Sequence, residues 1–281
     1  MGKIGVIGGS GIYNLSEVEI IKDHIVETPF GKPSSCVKEI SIKGHTFFFI
    51  PRHGEGHTIS PSEINYRANI YALKLLGVST VISISAVGSL KEEHAPTKIV
   101  LPSQFIDWTK GLRERSFFTD GVVGHVSTAY PVEKNLQERI GHELSQLDID
   151  YSVGGSYICI EGPQFSSKAE SEIYRGFGAD IIGMTNVPEA YLAKEAGLAY
   201  ATVAMVTDYD CWRDEHCAVE EIMKVMSENY KSAQKLLVKL IPSLVESPIN
   251  FEPENIHAVV TNEKLLTASQ KEINKVLLHH E

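Results

Sequence analysis

The sequence contains no apolar run close to the roughly 18 residues that a membrane-spanning helix requires. It also lacks a block of basic residues: 36 Asp and Glu outnumber 26 Lys and Arg, which gives a formal net charge of −10. A net acidic chain is a poor partner for nucleic acid or for an anionic membrane. A small anionic substrate remains compatible with it, because a few local cations are enough to bind one.

Cysteine is scarce as well. The four cysteines are too few and too scattered for a disulfide scaffold. The spacing of Cys211 and Cys217, with His216 between them, matches no standard zinc pattern, so we expect reduced thiols and no metal. The strand-like residues 3–7 leave no room for a signal peptide before them, and we expect a cytoplasmic protein.

The domain organisation follows from length and composition. A chain of 281 residues with 43% hydrophobic side chains is near the upper size for one hydrophobic core. We predict one domain over residues 1–241 and a C-terminal tail over residues 242–281, where prolines and polar residues become frequent. The tail contains a possible helix at 263–278 and is expected to pack on the domain or on a neighbouring subunit.

Short β-branched segments alternate with helical patterns along the domain. Strands are predicted at residues 3–7, 37–42, 46–50, 80–85, 98–101, 156–160, 180–182 and 199–206. Helices are predicted from Pro61 to about Gly77 and at 133–147, 168–177, 188–196 and 220–241. This order is typical of an α/β protein with a largely parallel sheet. The closely spaced segments near 37–50 and 98–107 add an antiparallel or barrel-like element.

Polar side chains that suit an anion follow several of these strands. Ser10 lies in a glycine-rich turn, which is not the dinucleotide fingerprint because position 14 is Asn. Arg52 offers a planar fork of donors for phosphate oxygens, and the adjacent His53 adds a switchable donor. Ser85 and Thr185 also lie just past strands. Since open α/β sheets bind ligands at the carboxyl ends of their strands, we predict that these residues converge on one anion site.

Carboxylates follow a further buried strand. Asp208 comes directly after residues 199–206, and burial raises the pKa of a carboxyl, so Asp208 can hold or share a proton at neutral pH. Such a group can donate to the nitrogen of a departing heterocycle. A helix N-cap is the rival interpretation, stronger for Asp210 than for Asp208. After the strand at 156–160, Phe165 could stack on a flat base and Glu161 could hold a hydroxyl or ring nitrogen.

These motifs together resemble the trimeric purine nucleoside phosphorylase family, and within it the methylthioadenosine phosphorylases. The similarity is carried, in order along about residues 3–241, by IGGSG at 7–11, TPFGKPS at 28–34, RHG at 52–54, NYRAN at 65–69, SAVGS at 85–89, QFID at 104–107, IEGP at 160–163, GMT at 183–185, VPE at 187–189 and TDYDCW at 207–212. The resemblance implies a single α/β domain with a central mixed β-sheet and a distorted barrel, surrounded by helices. It also implies a homotrimer, or a dimer of trimers, with sites at subunit interfaces.

The reaction implied by the resemblance is reversible phosphorolysis of a nucleoside by a pentosyltransferase. Inorganic phosphate, a co-substrate, attacks C1′ and releases the free base, with no metal or organic cofactor. The residues that the resemblance assigns to phosphate are Ser10, Arg52, His53, Ser85, the Ala86 amide and Thr185. Those that it assigns to the nucleoside are Met184 under the ribose, Phe165 and Ser166 at the base, Asp208 at N7, Asp210 at the 6-amino group, Val219, Ile222 and Met223 at the 5′ substituent, and His57 and His125, the latter reaching a neighbouring subunit's site.

The resemblance also indicates the substrate. A carboxylate at Asp208 accepts from a 6-aminopurine, whereas the related hypoxanthine- and guanine-specific enzymes carry Asn there; an apolar 5′ pocket favours a thioether. We therefore expect S-methyl-5′-thioadenosine to be cleaved to adenine and 5-methylthioribose 1-phosphate. A 6-oxopurine or methylthioinosine phosphorylase is the alternative enzyme. Gln164 stands where the family usually has Arg, so a catalytically silent nucleoside-binding protein also stays open. A nucleotide-dependent dehydrogenase is the weakest rival.

Overall fold

A computed structural model describes residues 2–9, 18–213 and 219–278 of the chain. The strands in this part are β1 Lys3–Gly8, β2 Val18–His24, β3 Val37–Ile42, β4 His45–Pro51, β5 Val78–Ser89, β6 Ile99–Leu101, β7 Gln104–Trp108, β8 Tyr151–Val153, β9 Ser156–Ile160, β10 Ile181–Gly183 and β11 Ala199–Asp208. The helices are α1 Tyr66–Leu75, α2 Lys134–Gln146, α3 Lys168–Gly176, α4 Asn186–Glu195, α5 Val219–Glu246 and α6 Ala268–Leu278. Over these described ranges, none of the helices has both the length and the apolar character to cross a bilayer.

The strands form one mixed sheet that branches at β5. Along the main path the order is β2-β3-β4-β1-β5-β10-β9-β7, and β11 adds to β5 and continues through β6 to β8. The centre is parallel, since β1 pairs in parallel with β4 and β5, and β11 pairs in parallel with β5. The β2-β3-β4 meander is antiparallel. The predicted single α/β domain with a central mixed sheet surrounded by helices is confirmed.

Both faces of the central strands are buried, as their unbroken apolar sequences predict. In β11, each residue from 199 to 207 is buried. Side chains of one parity, such as Val203 and Met205, pack with α2 and α5, while Ala204 and Val206 pack with α1 and α4 on the other face. The helices therefore cover the sheet on two sides and leave the carboxyl ends of the parallel strands open to a ligand.

Several predicted boundaries differ from the observed ones. Helix α1 begins at Tyr66 rather than near Pro61, because the Asn65 side chain accepts from the Ala68 amide and caps the helix there. Helix α5 continues past Pro242 to Glu246, although proline removes one helical hydrogen bond. The buried side chains of Ile241 and Leu244 on either side of that proline hold the helix against the core.

The tail packs on the domain in the described chain. Helix α6 contacts α1, and Leu277 near its end is fully buried. Asn255 is also fully buried, and its amide nitrogen donates to the carbonyl oxygens of Glu195 at 2.7 Å and Leu277 at 2.9 Å. One side chain thus joins the end of α4 to the last helix.

We expect Asn255→Ala to lower the free energy of unfolding by about 1–3 kcal/mol, because two buried carbonyl groups lose their donor. Equilibrium unfolding in urea measures this loss. Asn250→Ala, at an exposed position in the same tail, is the matched control and should unfold like the wild type. Equal midpoints for the two variants would contradict a tail that is docked through Asn255.

Candidate active site

The strand ends open onto a cavity of about 300 Å3. Helix α5 closes one side of it with the residues of its first turns. Most of the residues predicted for the site line this one cavity: Arg52, His53, His57, Ser85, Ala86, Phe165, Ser166, Met184, Thr185, Asp208, Asp210, Ile222 and Met223. Arg52, Thr185 and Asp208 reach this crevice at strand ends, as predicted. Ser85 and Ala86 instead lie inside β5 and still pair with β11, so the expectation that Ser85 lies just past a strand is wrong.

Three predicted site residues are not placed in the cavity. Ser10 lies outside the described residues, and so does the side chain of Val219. His125 is exposed and does not line this cavity; its backbone amide donates to the Ala258 carbonyl oxygen at 2.9 Å. Because the expected contact of His125 is with a neighbouring subunit, that assignment stays a prediction.

Sequence reasoning missed part of the wall. Met226 and Tyr230 continue the α5 stripe that begins at Ile222, each one turn further along the helix. The sequence-based assignment stopped at Met223, although the stripe continues to line the cavity for two further turns. Gly9 also lines the cavity, next to Tyr230: a Cβ added at Gly9 would lie 2.6 Å from the Tyr230 hydroxyl. The recurrence of large side chains every four residues, at 222, 226 and 230, was the signal that could have identified these positions, because it places them on the same face of α5 as Ile222.

The Arg52 guanidinium forms a buried ion pair at the base of the cavity. Arg52 is 2% exposed and Glu189 is 1% exposed. Nε of Arg52 donates to Oε2 of Glu189 at 2.6 Å, and Nη2 donates to Oε1 at 2.9 Å and to Ser83 Oγ at 2.7 Å. Nη1 donates to the Ile84 carbonyl oxygen at 3.0 Å. The fork that was expected to face phosphate is therefore engaged by Glu189, and one Nη1 hydrogen is left for a ligand.

His53 has one ring nitrogen committed to the protein. Its Nδ1 lies 2.9 Å from the Ile59 carbonyl oxygen, which can only accept, so Nδ1 carries the proton. Burial, followed by the neighbouring Arg52 charge, lowers the pKa of His53 to about 4. The ring is then neutral at pH 7, and its other nitrogen, Nε2, accepts rather than donates. Of the switchable donor expected at His53, Nδ1 is therefore used within the protein, and Nε2 is the nitrogen left for a ligand.

Hydroxyl groups complete the polar end of the cavity. Ser85 Oγ lies 3.3 Å from Thr185 Oγ1 and 3.4 Å from the Tyr157 hydroxyl. These distances exceed the usual length of about 2.7–2.8 Å for hydroxyl pairs, so the contacts are weak. Their protons can rotate toward a bound oxyanion without the loss of a strong bond.

Two carboxyl groups lie at the β11 end of the cavity. Burial raises the pKa of Asp208, although Thr207 Oγ1 donates to its Oδ1 at 2.5 Å and the Asp210 amide donates to its Oδ2 at 3.0 Å. Burial and then the nearby Asp208 charge raise the pKa of Asp210, whose Oδ2 accepts from Ser171 Oγ at 2.5 Å. The site thus combines oxyanion donors with two carboxyls whose pKa values burial raises above that of an ordinary aspartate.

Glu161 is not available to a ligand in this cavity. Its carboxylate accepts from Arg113 Nε at 2.9 Å, Ser62 Oγ at 2.6 Å and the Lys110 amide at 2.7 Å. The structure gives no support to the suggestion that it holds a substrate hydroxyl or ring nitrogen, because the Glu161 side chain does not line this cavity and is paired with Arg113. Gln164 is exposed and lies outside the cavity wall, whereas Phe165 lines its mouth with 71% of its surface exposed.

In the part of the chain described here, no group of three or more His, Cys, Asp or Glu side chains is arranged to hold a metal ion. The chemical groups of the cavity are donors for an anion, two carboxyls and apolar surface from Met184, Ile222 and Met223.

A family model described as the phosphorylase superfamily matches residues 3–242. The chain belongs to the phosphorylase superfamily. This phosphorylase is 50% identical over 246 residues to the S-methyl-5′-thioadenosine phosphorylase of Hyperthermus butylicus, with 87% of this chain and 89% of that protein covered. It is 43% identical to the protein of that name from Koribacter versatilis, with 98% of this chain and 95% of the relative covered. The sequence-based assignment to the family is confirmed.

Solved structures show the same similarity. A methylthioadenosine phosphorylase from an antarctic soil metagenomic library superposes with a TM-score of 0.93 at 40% identity, covering 99% of both chains. A mutant of the adenosine/methylthioadenosine phosphorylase from Schistosoma mansoni, in complex with methylthioadenosine, gives a TM-score of 0.82 at 34% identity, covering 88% of this chain and 92% of that one.

The low pKa of His53 links the stability of this phosphorylase to pH. As the pH falls below about 6.5, the unfolded chain binds a proton at His53 before the folded chain does, so stability is lost down toward pH 4. Between pH 7 and pH 5 the wild type should lose about 2 kcal/mol more than His53→Gln. Urea unfolding at both pH values measures the difference. The exposed His142→Gln should behave like the wild type; an equal pH response of all three proteins would contradict the buried neutral ring.

Proposed function

We propose that this phosphorylase catalyses the reversible phosphorolysis of S-methyl-5′-thioadenosine to adenine and 5-methylthioribose 1-phosphate. The observation that carries the proposal is the pairing, within one cavity of about 300 Å3, of an oxyanion end at Arg52, Ser85 and Thr185 with a carboxyl end at Asp208. The names of the relatives support the same substrate.

Phosphate binds at the oxyanion end. The hydroxyls of Ser85 and Thr185, the Ala86 amide and the remaining Nη1 hydrogen of Arg52 donate to its oxygens. Nε2 of His53 accepts from the phosphate hydroxyl, because Nδ1 is held by Ile59. Since Glu189 already neutralises Arg52, the site recognises phosphate by directed hydrogen bonds more than by net charge. Ser10 belongs to the same proposed set through its place in the glycine-rich turn.

The nucleoside spans the rest of the cavity. Met184 packs under the ribose, Phe165 and Ser166 border the base, and the 5′ methylthio group lies against Ile222 and Met223, with Val219 and His57 nearby. Asp208 donates to purine N7 and Asp210 supports recognition of the 6-amino group. A carboxyl pair suits an aminopurine, because an oxygen at position 6 would face acceptors and leave a buried polar group unpaired.

The reaction exchanges one bond for another at C1′. A phosphate oxygen forms a bond to C1′ while the C1′–N9 bond breaks, and its electron pair moves into the purine ring. Positive charge that develops on the sugar is stabilised by the phosphate, and negative charge on the purine is relieved by the proton of Asp208. The released adenine keeps the proton of Asp208, and the proton that the phosphate loses on becoming an ester returns to Asp208 through solvent, so charge and protons balance over one turnover.

The assembly belongs to the proposal as well. We infer a homotrimer, or a dimer of trimers, in the cytoplasm, in which His125 of one subunit completes the neighbouring site. The exposure of His125 away from its own cavity supports this arrangement. Catalysis is proposed to need no metal or organic cofactor beyond the phosphate co-substrate.

We expect adenine release from S-methyl-5′-thioadenosine to depend strictly on added phosphate. The measurement compares kcat/KM for this substrate, adenosine and inosine by chromatography of the free base, with phosphate-free buffer as the control. Inosine as the preferred substrate would contradict the aminopurine assignment. Binding without turnover would indicate a nucleoside-binding protein instead.

Asp208→Asn should lower kcat for S-methyl-5′-thioadenosine by about 10²–10⁴-fold, because an amide cannot supply the acidic proton. It should also move the preference toward inosine, since the amide can donate to a 6-oxo group. The matched control is Asp148→Asn, at an exposed turn with φ of 54° that asparagine tolerates. Unchanged base selectivity in Asp208→Asn would remove Asp208 from base recognition.

A further inference from the structure

Arg113 is a buried cation that has no place in the wall of the cavity. It lies in the loop between β7 and α2, and it is 6% exposed. Its Nη1 donates to the carbonyl oxygens of Met184 and Val187, both at 2.7 Å, and its Nη2 donates to that of Glu161 at 2.8 Å. Nε donates to Oε1 of Glu161 at 2.9 Å. Longer bonds run from Nη2 to the Ile160 carbonyl oxygen at 3.4 Å and from Nη1 to the Tyr66 hydroxyl at 3.3 Å, so one guanidinium holds four backbone carbonyls, a hydroxyl and a carboxylate.

The closest acceptors of Arg113 belong to two different strand exits. Glu161 directly follows β9, whose exit leads to Phe165 and Ser166 on the proposed base side of the cavity. Met184 directly follows β10 and precedes Thr185 on the proposed phosphate side. Arg113 therefore connects the segment that borders the base to the segment that binds phosphate.

The bond to Met184 also fixes a donor direction. The carbonyl and the N–H of a planar trans peptide point in opposite directions. Because the Met184 carbonyl oxygen points at Arg113, the Thr185 N–H points away from Arg113, and it lies 3.5 Å from the Tyr157 hydroxyl in the cluster with Ser85. Rotation of this peptide would turn Thr185 away from its place in the oxyanion end.

The Arg113 loop is itself anchored. The carboxylate of Glu195, on α4, accepts from the Ser116 hydroxyl at 2.8 Å and from the Phe117 amide at 2.7 Å. Both donors lie within four residues of Arg113 along the chain. The guanidinium is therefore presented from a segment that is tied to the domain core.

We propose that Arg113 is a positioning residue of the phosphorolysis reaction, which sets the register between the phosphate-binding and base-binding segments without contacting either substrate. The proposal rests on the proposed function. In a displacement at C1′, a misplacement of about 1 Å between the reacting groups can lower the rate about 10²-fold. Each segment keeps its own side chains when Arg113 is replaced, so the binding of each substrate is affected less than the chemical step.

The test uses the full-length enzyme and two variants. Arg113→Lys keeps the charge but offers three N–H donors in place of the five of a guanidinium. Arg113→Met combined with Glu161→Gln removes both charges, so that no buried carboxylate is left unpaired. The matched controls are Arg115→Lys and Arg115→Met, two positions along the same loop, where the side chain is 45% exposed and pairs with Asp107. Circular dichroism and thermal unfolding establish which variants are folded at the assay temperature.

We expect kcat to fall about 30–100-fold in the Arg113 variants, while KM for phosphate and KM for S-methyl-5′-thioadenosine each stay within about threefold of the wild type. The Arg115 variants should keep wild-type kinetics. A rise of one KM with unchanged kcat would overturn the proposal, as would kinetics like those of the Arg115 variants or failure of both Arg113 variants to fold. An inactive wild type would instead refute the proposed function, which distinguishes the two failures.

Discussion

The buried pair of Arg52 and Glu189 is the interaction on which the site is built. It joins the end of β4 to the first turn of α4, and Ser83 of β5 and Tyr200 of β11 both donate to Glu189. Four elements that are distant in sequence therefore meet at one carboxylate. Removal of two charges from water can cost more than such a pair returns in stability, so the pair is weak evidence for added stability. What the structure shows is that it fixes the point where these four elements meet.

This pair also contributes to the difference in charge and hydrogen-bonding groups between the two ends of the cavity. With Arg52 neutralised, the oxyanion end consists of oriented hydroxyl and N–H donors, together with a neutral His53 that accepts. At the other end, burial raises the pKa values of Asp208 and Asp210 toward the protonated state. A substrate that brings a negative oxyanion to one end and leaves a basic heterocycle at the other uses both environments, as phosphorolysis of a nucleoside requires.

The sequence predicts the location of the site better than its internal contacts. Carboxyl ends of parallel strands share one edge of a sheet, so Arg52, Thr185 and Asp208 could be assigned to one crevice from strand pattern alone. The orientation of the Arg52 fork could not, because its partner Glu189 is 137 residues away and is buried by tertiary packing. The pairing of Glu161 could not be predicted either, because its partner Arg113 is 48 residues away in a loop without a periodic pattern. Strand β2 was not predicted, because most of its side chains are exposed and its sequence shows no alternation of apolar and polar residues that would indicate a buried face.

Two buried arginine–carboxylate pairs converge on the short segment of residues 184–189. Arg113 holds the carbonyls of Met184 and Val187, and Arg52 holds the side chain of Glu189. Thr185 lies between these fixed points, and the ladder of β10 ends before it, at Gly183. Beyond Gly183, hydrogen bonds from the two arginine side chains thus take the place of the backbone hydrogen bonds of the sheet. Ser85 and Ala86 reach the cavity from inside β5, whereas Thr185 reaches it from a segment beyond the ladder, and there the two arginines supply the fixed points that backbone pairing supplies in β5.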